Sequence, residues 1–221
     1  MAVELQLGLV AALAEELGSL RERAARVRVV SGLELFEVEL EGARVLAATS
    51  GIGKVAAARA ATVLAGVGAT DGLLVVGTCG GLRKHLAPGT LVHCSTAVQT
   101  DLAVRAGREV ESDRRLREAW QAVVPGELGW FLTADRPVLS LWRRLRLARA
   151  FAGSCVADME TAAVAAVARA SGVPWAGLRA VTDPATGLGV VAFKLHFPSQ
   201  AGRAADTVPD LVRQLQRTAP K

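Results

Sequence analysis

The chain has 221 residues, 51 % of them hydrophobic, and a formal net charge of +5; that is enough apolar material for one large α/β core, but no run of about 18 uncharged apolar residues exists to span a membrane. The N-terminal stretch carries Glu4, Glu15 and Glu16 where a signal peptide would be basic, which points to a cytoplasmic protein. Cys79, Cys94 and Cys155 lie in apolar runs without metal-ligand spacing, so neither a disulfide nor a metal is expected.

Leu5 to Ala12 is a continuous apolar run, the mark of a buried strand, and passes through Ala14-Glu15-Glu16 into a charged helical stretch ending near Val27. Arg28 to Val30, Glu34 to Glu41 and Arg44 to Thr49 are separated by glycine turns, as in an antiparallel meander. After Ser50-Gly51-Ile52-Gly53 an alanine-rich helix runs to about Gly66, followed by a central strand, Gly72 to Val76, closed by a glycine loop, Gly77 to Gly81. The second half alternates strands at Thr90 to Val98, Gly129 to Thr133, Cys155 to Ala157 and Trp175 to Val181 with helices at Asp113 to Val123, Ser140 to Phe151, Asp158 to Ala170 and Gln200 to Arg217. The expectation is a single domain over residues 1–221 with a mixed, largely parallel sheet covered by helices on both faces.

Two arginine clusters, Arg114-Arg115-Arg117 and Arg143-Arg144-Arg146-Arg149, account for much of the positive charge. They fall in helix-patterned stretches with no interleaved aromatics or reading motif, so they read as solvated faces and no nucleic-acid partner is expected.

In open α/β sheets ligands lie beyond the carboxyl ends of the strands. Glu16 follows the first strand, where an acid also suits the positive end of a helix. The Gly51–Gly53 loop serves either as a strand-to-helix turn, with Ser50 as a cap, or to bring backbone amides near a ligand. It lacks the P-loop and dinucleotide spacings. Asp158-Met159-Glu160 precedes a helix too apolar to be exposed, so its acids need partners, and sugar hydroxyls are suitable ones. Arg179, inside an apolar strand, needs an acid or an anion; Asp183 ends that strand before Pro184, as an active acid or a turn cap.

These segments, in order, resemble the methylthioadenosine/S-adenosylhomocysteine nucleosidases and the related type I nucleoside phosphorylases: GLVAALAEEL from Gly8, TSGIGKVAAA from Thr49, GTCGGL from Gly77, ADMETAA from Ala157 and RAVTD from Arg179. The resemblance implies cleavage of the N-glycosidic bond of a purine nucleoside. Carried over by position, Glu16 activates the attacking water and Asp183 protonates the departing base. Glu160 binds the ribose hydroxyls, Met159 packs on the ribose, Thr78 and Arg179 lie near the nucleophile, Gly51 contacts substrate and Phe193 covers the 5′ side. It also implies a homodimer whose partner helps to close the site, and no cofactor. Leu74-Val75-Val76-Gly77 lacks the arginine that grips phosphate in phosphorolytic relatives, which favours water as the nucleophile. Pro137 stands where adenine-specific relatives carry a stacking aromatic, and Leu13 where they carry a methionine. A phosphorylase, a futalosine-type hydrolase and a non-catalytic nucleoside-binding relative are the alternative readings.

Overall fold

The structure, a computed structural model, describes residues 4–104, 106–185 and 189–218; positions 1–3 of the N-terminal stretch discussed above lie outside them. Among the described residues ten strands form one mixed sheet: β1 (Leu5–Ala11), β2 (Arg26–Val30), β3 (Leu33–Leu40), β4 (Ala43–Thr49), β5 (Gly72–Gly81), β6 (Leu91–Gln99), β7 (Glu109–Glu111), β8 (Glu127–Thr133), β9 (Ser154–Asp158) and β10 (Trp175–Asp183). Seven α-helices accompany them: α1 (Ser19–Glu22), α2 (Lys54–Gly66), α3 (Arg114–Val123), α4 (Leu141–Ala150), α5 (Thr161–Ser171), α6 (Gly189–Gln200) and α7 (Val208–Thr218).

The sheet has two parts that share β5. In one, β5, β10, β6, β8 and β9 close on themselves, because β5 pairs with β10 on one side and with β9, through Gly80 and Gly81, on the other. In the other, β1 leaves β5 in parallel and leads to β4, β3 and β2, the last three antiparallel as the meander predicts.

Period-two alternation divides the core between the two faces. Leu7, Leu9 and Ala11 pack with α3 and α7 residues such as Trp120, Leu211 and Leu215, whereas Val10 packs with α2 and α5 residues such as Ala61, Leu64 and Ala165. Gly8 permits the approach of α2: a Cβ there would lie 2.7 Å from the Leu73 side chain and 3.2 Å from Leu64 Cβ. Asp113 and Ser140 cap α3 and α4 by accepting from Leu116 N and Arg143 N at 2.9 and 3.2 Å.

Several sequence expectations need correction. The helix expected up to Val27 is a 3₁₀ turn, Ala14–Leu17, followed by the short α1, and the chain is already a strand by Arg26. Residues 77–81 are not a loop: β5 runs through them with its end paired on both sides, and glycine stands at 77, 80 and 81 where a Cβ would meet its neighbours. A Cβ on Gly81 would meet Leu86 O at 2.6 Å. Helix α6 and strand β7 were not anticipated, and the closing helix begins at Val208 after two 3₁₀ turns rather than at Gln200. No helix of the described residues is long and apolar enough to cross a membrane, and the three cysteines are free and buried.

Candidate active site

Strand ends bring the carboxylates together. Directly after β1, the 3₁₀ turn places Glu16 2 % exposed, under β5. Its Oε2 accepts from the amides of Ala12 and Leu13, both at 3.1 Å, and its Oε1 accepts from the Thr78 amide and hydroxyl, both at 2.8 Å. Gly77 allows this approach: at φ +139°, a Cβ there would lie 2.7 Å from Oε1.

Arg179 lies beside Gly77 in the β5–β10 register and is almost wholly buried. Its Nε pairs with Asp158 Oδ2 at 3.0 Å, its Nη2 with Glu160 Oε2 at 3.1 Å, and its Nη1 donates to Thr78 O at 2.7 Å. The Thr133 and Thr161 hydroxyls also donate to Asp158. Glu160 stands at the N-cap position of α5, and its Oε1 accepts from Gly53 N at 3.0 Å. Burial works against the Arg179 charge, but the carboxylates of Asp158 and Glu160 outweigh it and hold the guanidinium cationic. Burial, reinforced by Asp158, raises the Glu160 carboxyl above its ordinary range despite Arg179.

Asp183 follows an irregularity in the β10 register after Val181 and lies opposite Gly80. Its Oδ2 accepts from Ala185 N at 2.8 Å and its Oδ1 from the Thr182 hydroxyl at 3.0 Å. Burial pushes its carboxyl up, against these two bonds. Gly80 and Gly189 leave it room, since Cβ atoms there would lie 3.2 and 3.0 Å from Oδ2.

Glu16, Thr78, Arg179, Glu160 and Asp183 all line one cleft of about 280 Å³. Met159 lines it too, with Phe193 from α6, which stacks on Phe197 at 4.8 Å between ring centroids. Leu13, Pro137 and Val138 add apolar wall. Among the described residues no group of His, Cys, Asp and Glu is arranged to hold a metal ion.

The phosphorylase superfamily model matches residues 6–216. The chain belongs to this superfamily. As a superfamily member it is 27 % identical over 224 residues to the 5′-methylthioadenosine/S-adenosylhomocysteine nucleosidase of Haemophilus ducreyi, covering 93 % of this chain and 97 % of that one. In fold it is similar to the S-adenosylhomocysteine nucleosidase of Streptococcus pyogenes, solved with 5-methylthiotubericidin, at a TM-score of 0.89 and 22 % identity over 98 % of both chains. It is similar also to the futalosine hydrolase of Helicobacter pylori, at a TM-score of 0.88 and 23 % identity over 96 % and 98 %.

Two of this superfamily member's loop residues depart from expectation. Gly51 is not among the residues lining the cleft; its N–H donates to Ala12 O at 3.1 Å, which ties the loop to β1, and it is Ile52 that reaches the wall. Ser50 does not cap α2, because its hydroxyl donates to the carbonyls of Ala11 and Gly51. Asp158, given no separate role in the sequence, proves to be the acid that buries with Arg179. Its sequence signals are the two halves of that pair: an acid before an apolar helix and an arginine in an apolar strand, each in need of a partner.

Proposed function

We propose that this chain is a purine nucleosidase that hydrolyses the N-glycosidic bond of a 5′-modified purine nucleoside, of the methylthioadenosine or S-adenosylhomocysteine kind. The observation that carries the reading is the convergence of Glu16, Glu160 and Asp183 on one cleft. Bond breaking moves the C1′–N9 electron pair onto the purine and leaves positive charge on the sugar. Asp183, with its raised pKa, donates a proton to the base as it leaves, and the carboxylates beside the sugar stabilise the cation. Water then bonds to C1′ and loses its proton toward Glu16. Each oxygen of Glu16 already accepts two hydrogen bonds. The Thr78 hydroxyl is the one donor of the four that can rotate away, so it makes room for the water or relays its proton.

Water is favoured over phosphate by the charge around the nucleophile. Among the described lining residues Arg179 is the cation beside Glu16, and its donors are taken up by Asp158, Glu160 and Thr78 O. An incoming phosphate would meet a guanidinium already engaged by two carboxylates, and the other cation lining the cleft, Arg136, is exposed to solvent, where its charge is screened. Pro137 and Phe193 belong to the walls around the base and 5′ substituent, and Met159 to the wall beneath the ribose. The test is incubation of the purified protein with a panel of 5′-modified purine nucleosides; release of free base and reducing sugar is expected, and absence of turnover across the panel would overturn the reading.

We also infer a cytoplasmic homodimer. Its three free, buried thiols suit a reducing compartment. Exposed apolar side chains on α2 (Val55), α4 (Leu141, Trp142) and α6 (Val191, Leu195) are available to a second copy of the chain. Sedimentation equilibrium giving twice the 23.0 kDa chain mass is the expected result.

A further inference from the structure

Helix α2 has no side-chain cap of its own. The amides of its N-cap and first residue instead go to carboxylates that follow two other strands. Gly53 N donates to Glu160 Oε1 at 3.0 Å, at the cleft, while Lys54 N donates to Asp135 Oδ1 at 2.9 Å, on the outer side. Asp135 lies in the segment after β8 and is not among the cleft-lining residues, although its neighbours Ala134 and Arg136 are. The Lys54 ammonium turns back to Asp101 Oδ1 at 2.7 Å and to Asp135 Oδ2 at 3.8 Å. Asp135 N donates in turn to Asp101 Oδ2 at 3.1 Å. The three residues thus close a circuit that joins the ends of β6 and β8 to the start of α2. Burial tends to raise the Asp101 carboxyl, but the bonds from Lys54 and Asp135 N outweigh it and hold Asp101 below its ordinary range.

We propose that Asp135 is a positioning residue for the sugar end of the site, holding the start of α2 so that Gly53 N–H orients the Glu160 carboxylate. The proposal rests on the reading of Glu160 as the acceptor of ribose hydroxyls. Two donors, Gly53 N and Arg179 Nη2, fix that carboxylate. If the α2 start shifts, only Arg179 remains to hold it, and the carboxylate turns toward the guanidinium and away from the sugar. A misplacement of about 1 Å in such a group lowers turnover by ~10²-fold, and a partial loosening by less.

The test compares kcat/KM for 5′-methylthioadenosine with that for its 2′-deoxy and 3′-deoxy analogues, in wild type, Asp135→Ala and Asp135→Asn. Intrinsic reactivity of each substrate cancels when the same substrate is compared across enzymes. Asp135→Ala is expected to lose roughly 10-fold on the ribonucleoside and much less on at least one deoxy analogue. Asp135→Asn keeps an acceptor for Lys54 N–H and is expected to recover most of that loss. An equal loss on all three substrates would mean a purely structural residue and overturn the proposal while leaving the Glu160 reading intact. A wild type indifferent to both hydroxyls would remove the Glu160 reading and the proposal with it. Should Asp135→Ala fold poorly, Asp101→Asn loosens the same circuit and must show the same selective loss in smaller degree; a uniform loss there also overturns the proposal.

Discussion

Arg179 and Asp158 form an ion pair at 3.0 Å with side chains 2 % and 0 % exposed. Such a pair contributes little net stability, yet removing one partner strands the other, at a cost of about 3–5 kcal/mol. Arg179→Met leaves two buried carboxylates facing one another and is expected to lower the urea midpoint strongly. Adding Asp158→Asn to that variant should restore part of the loss. Unchanged midpoints in the single variant would show that the acids are not charged in the folded protein.

Asp183→Asn tests the proton donor without removing packing. Asn preserves the strand-end hydrogen bond but cannot protonate the leaving base, so kcat should fall by ~10²-fold or more while the variant folds and binds nucleoside. Because the folded pKa of Asp183 is raised, the acid form persists further toward neutral pH than for an ordinary aspartate, and wild-type kcat should decline on the alkaline side of that value. The decline should be absent from the residual activity of Asp183→Asn. Near wild-type kcat in the variant would reduce Asp183 to a turn cap.

The choice of nucleophile is read from products. In phosphate-free buffer the free sugar is expected at full rate, and added phosphate should change neither rate nor product. Sugar 1-phosphate with strict phosphate dependence would mean that Arg179 releases a carboxylate to grip the anion.

His93 sets a pH limit on stability away from the cleft. It is 1 % exposed, its Nε2 donates to Val124 O at 2.9 Å, and Nδ1 is buried with no partner among the described residues. Burial lowers its pKa from 6.5, so the unfolded chain binds this proton more readily than the folded one. The contribution is therefore fully present above about pH 6.5 and is lost as pH falls toward the folded value. The stability slope between about pH 7 and 5 should flatten in His93→Gln; an identical slope would place the acid sensitivity in other groups.

Sequence patterning revealed elements wherever one face is buried and the ends are marked. The helix starts at Asp113 and Ser140, the glycine turns of the meander and the apolar runs of β1 and β10 are of this kind. Helix α6 escaped because apolar residues run all round it and Pro198 interrupts it, leaving no 3.6-residue period to read. The glycines of β5 resemble a loop in sequence because glycine usually punctuates a strand; their reason, the approach of Glu16 and Leu86, is tertiary. The same holds for the α2 amides. Their acceptors lie about 80 and 107 residues away, beyond the reach of any local rule, so a capping role fell to Ser50 by default.

Strand β5 also acts as a gauge for the chemistry. Gly77 lies beneath Glu16 and Gly80 beneath Asp183, so on the proposed reading the stations for nucleophile and leaving base are separated by three residues of extended chain, about 10 Å at ~3.3 Å each. That interval cannot drift without a slip of the whole β5–β10 pairing, whereas the walls at Pro137 and Phe193 hang from other elements. On the proposed reading, what is cleaved is thereby separable from how it is cleaved: a different substituent calls for a change in the walls and leaves the interval between the acids as it is.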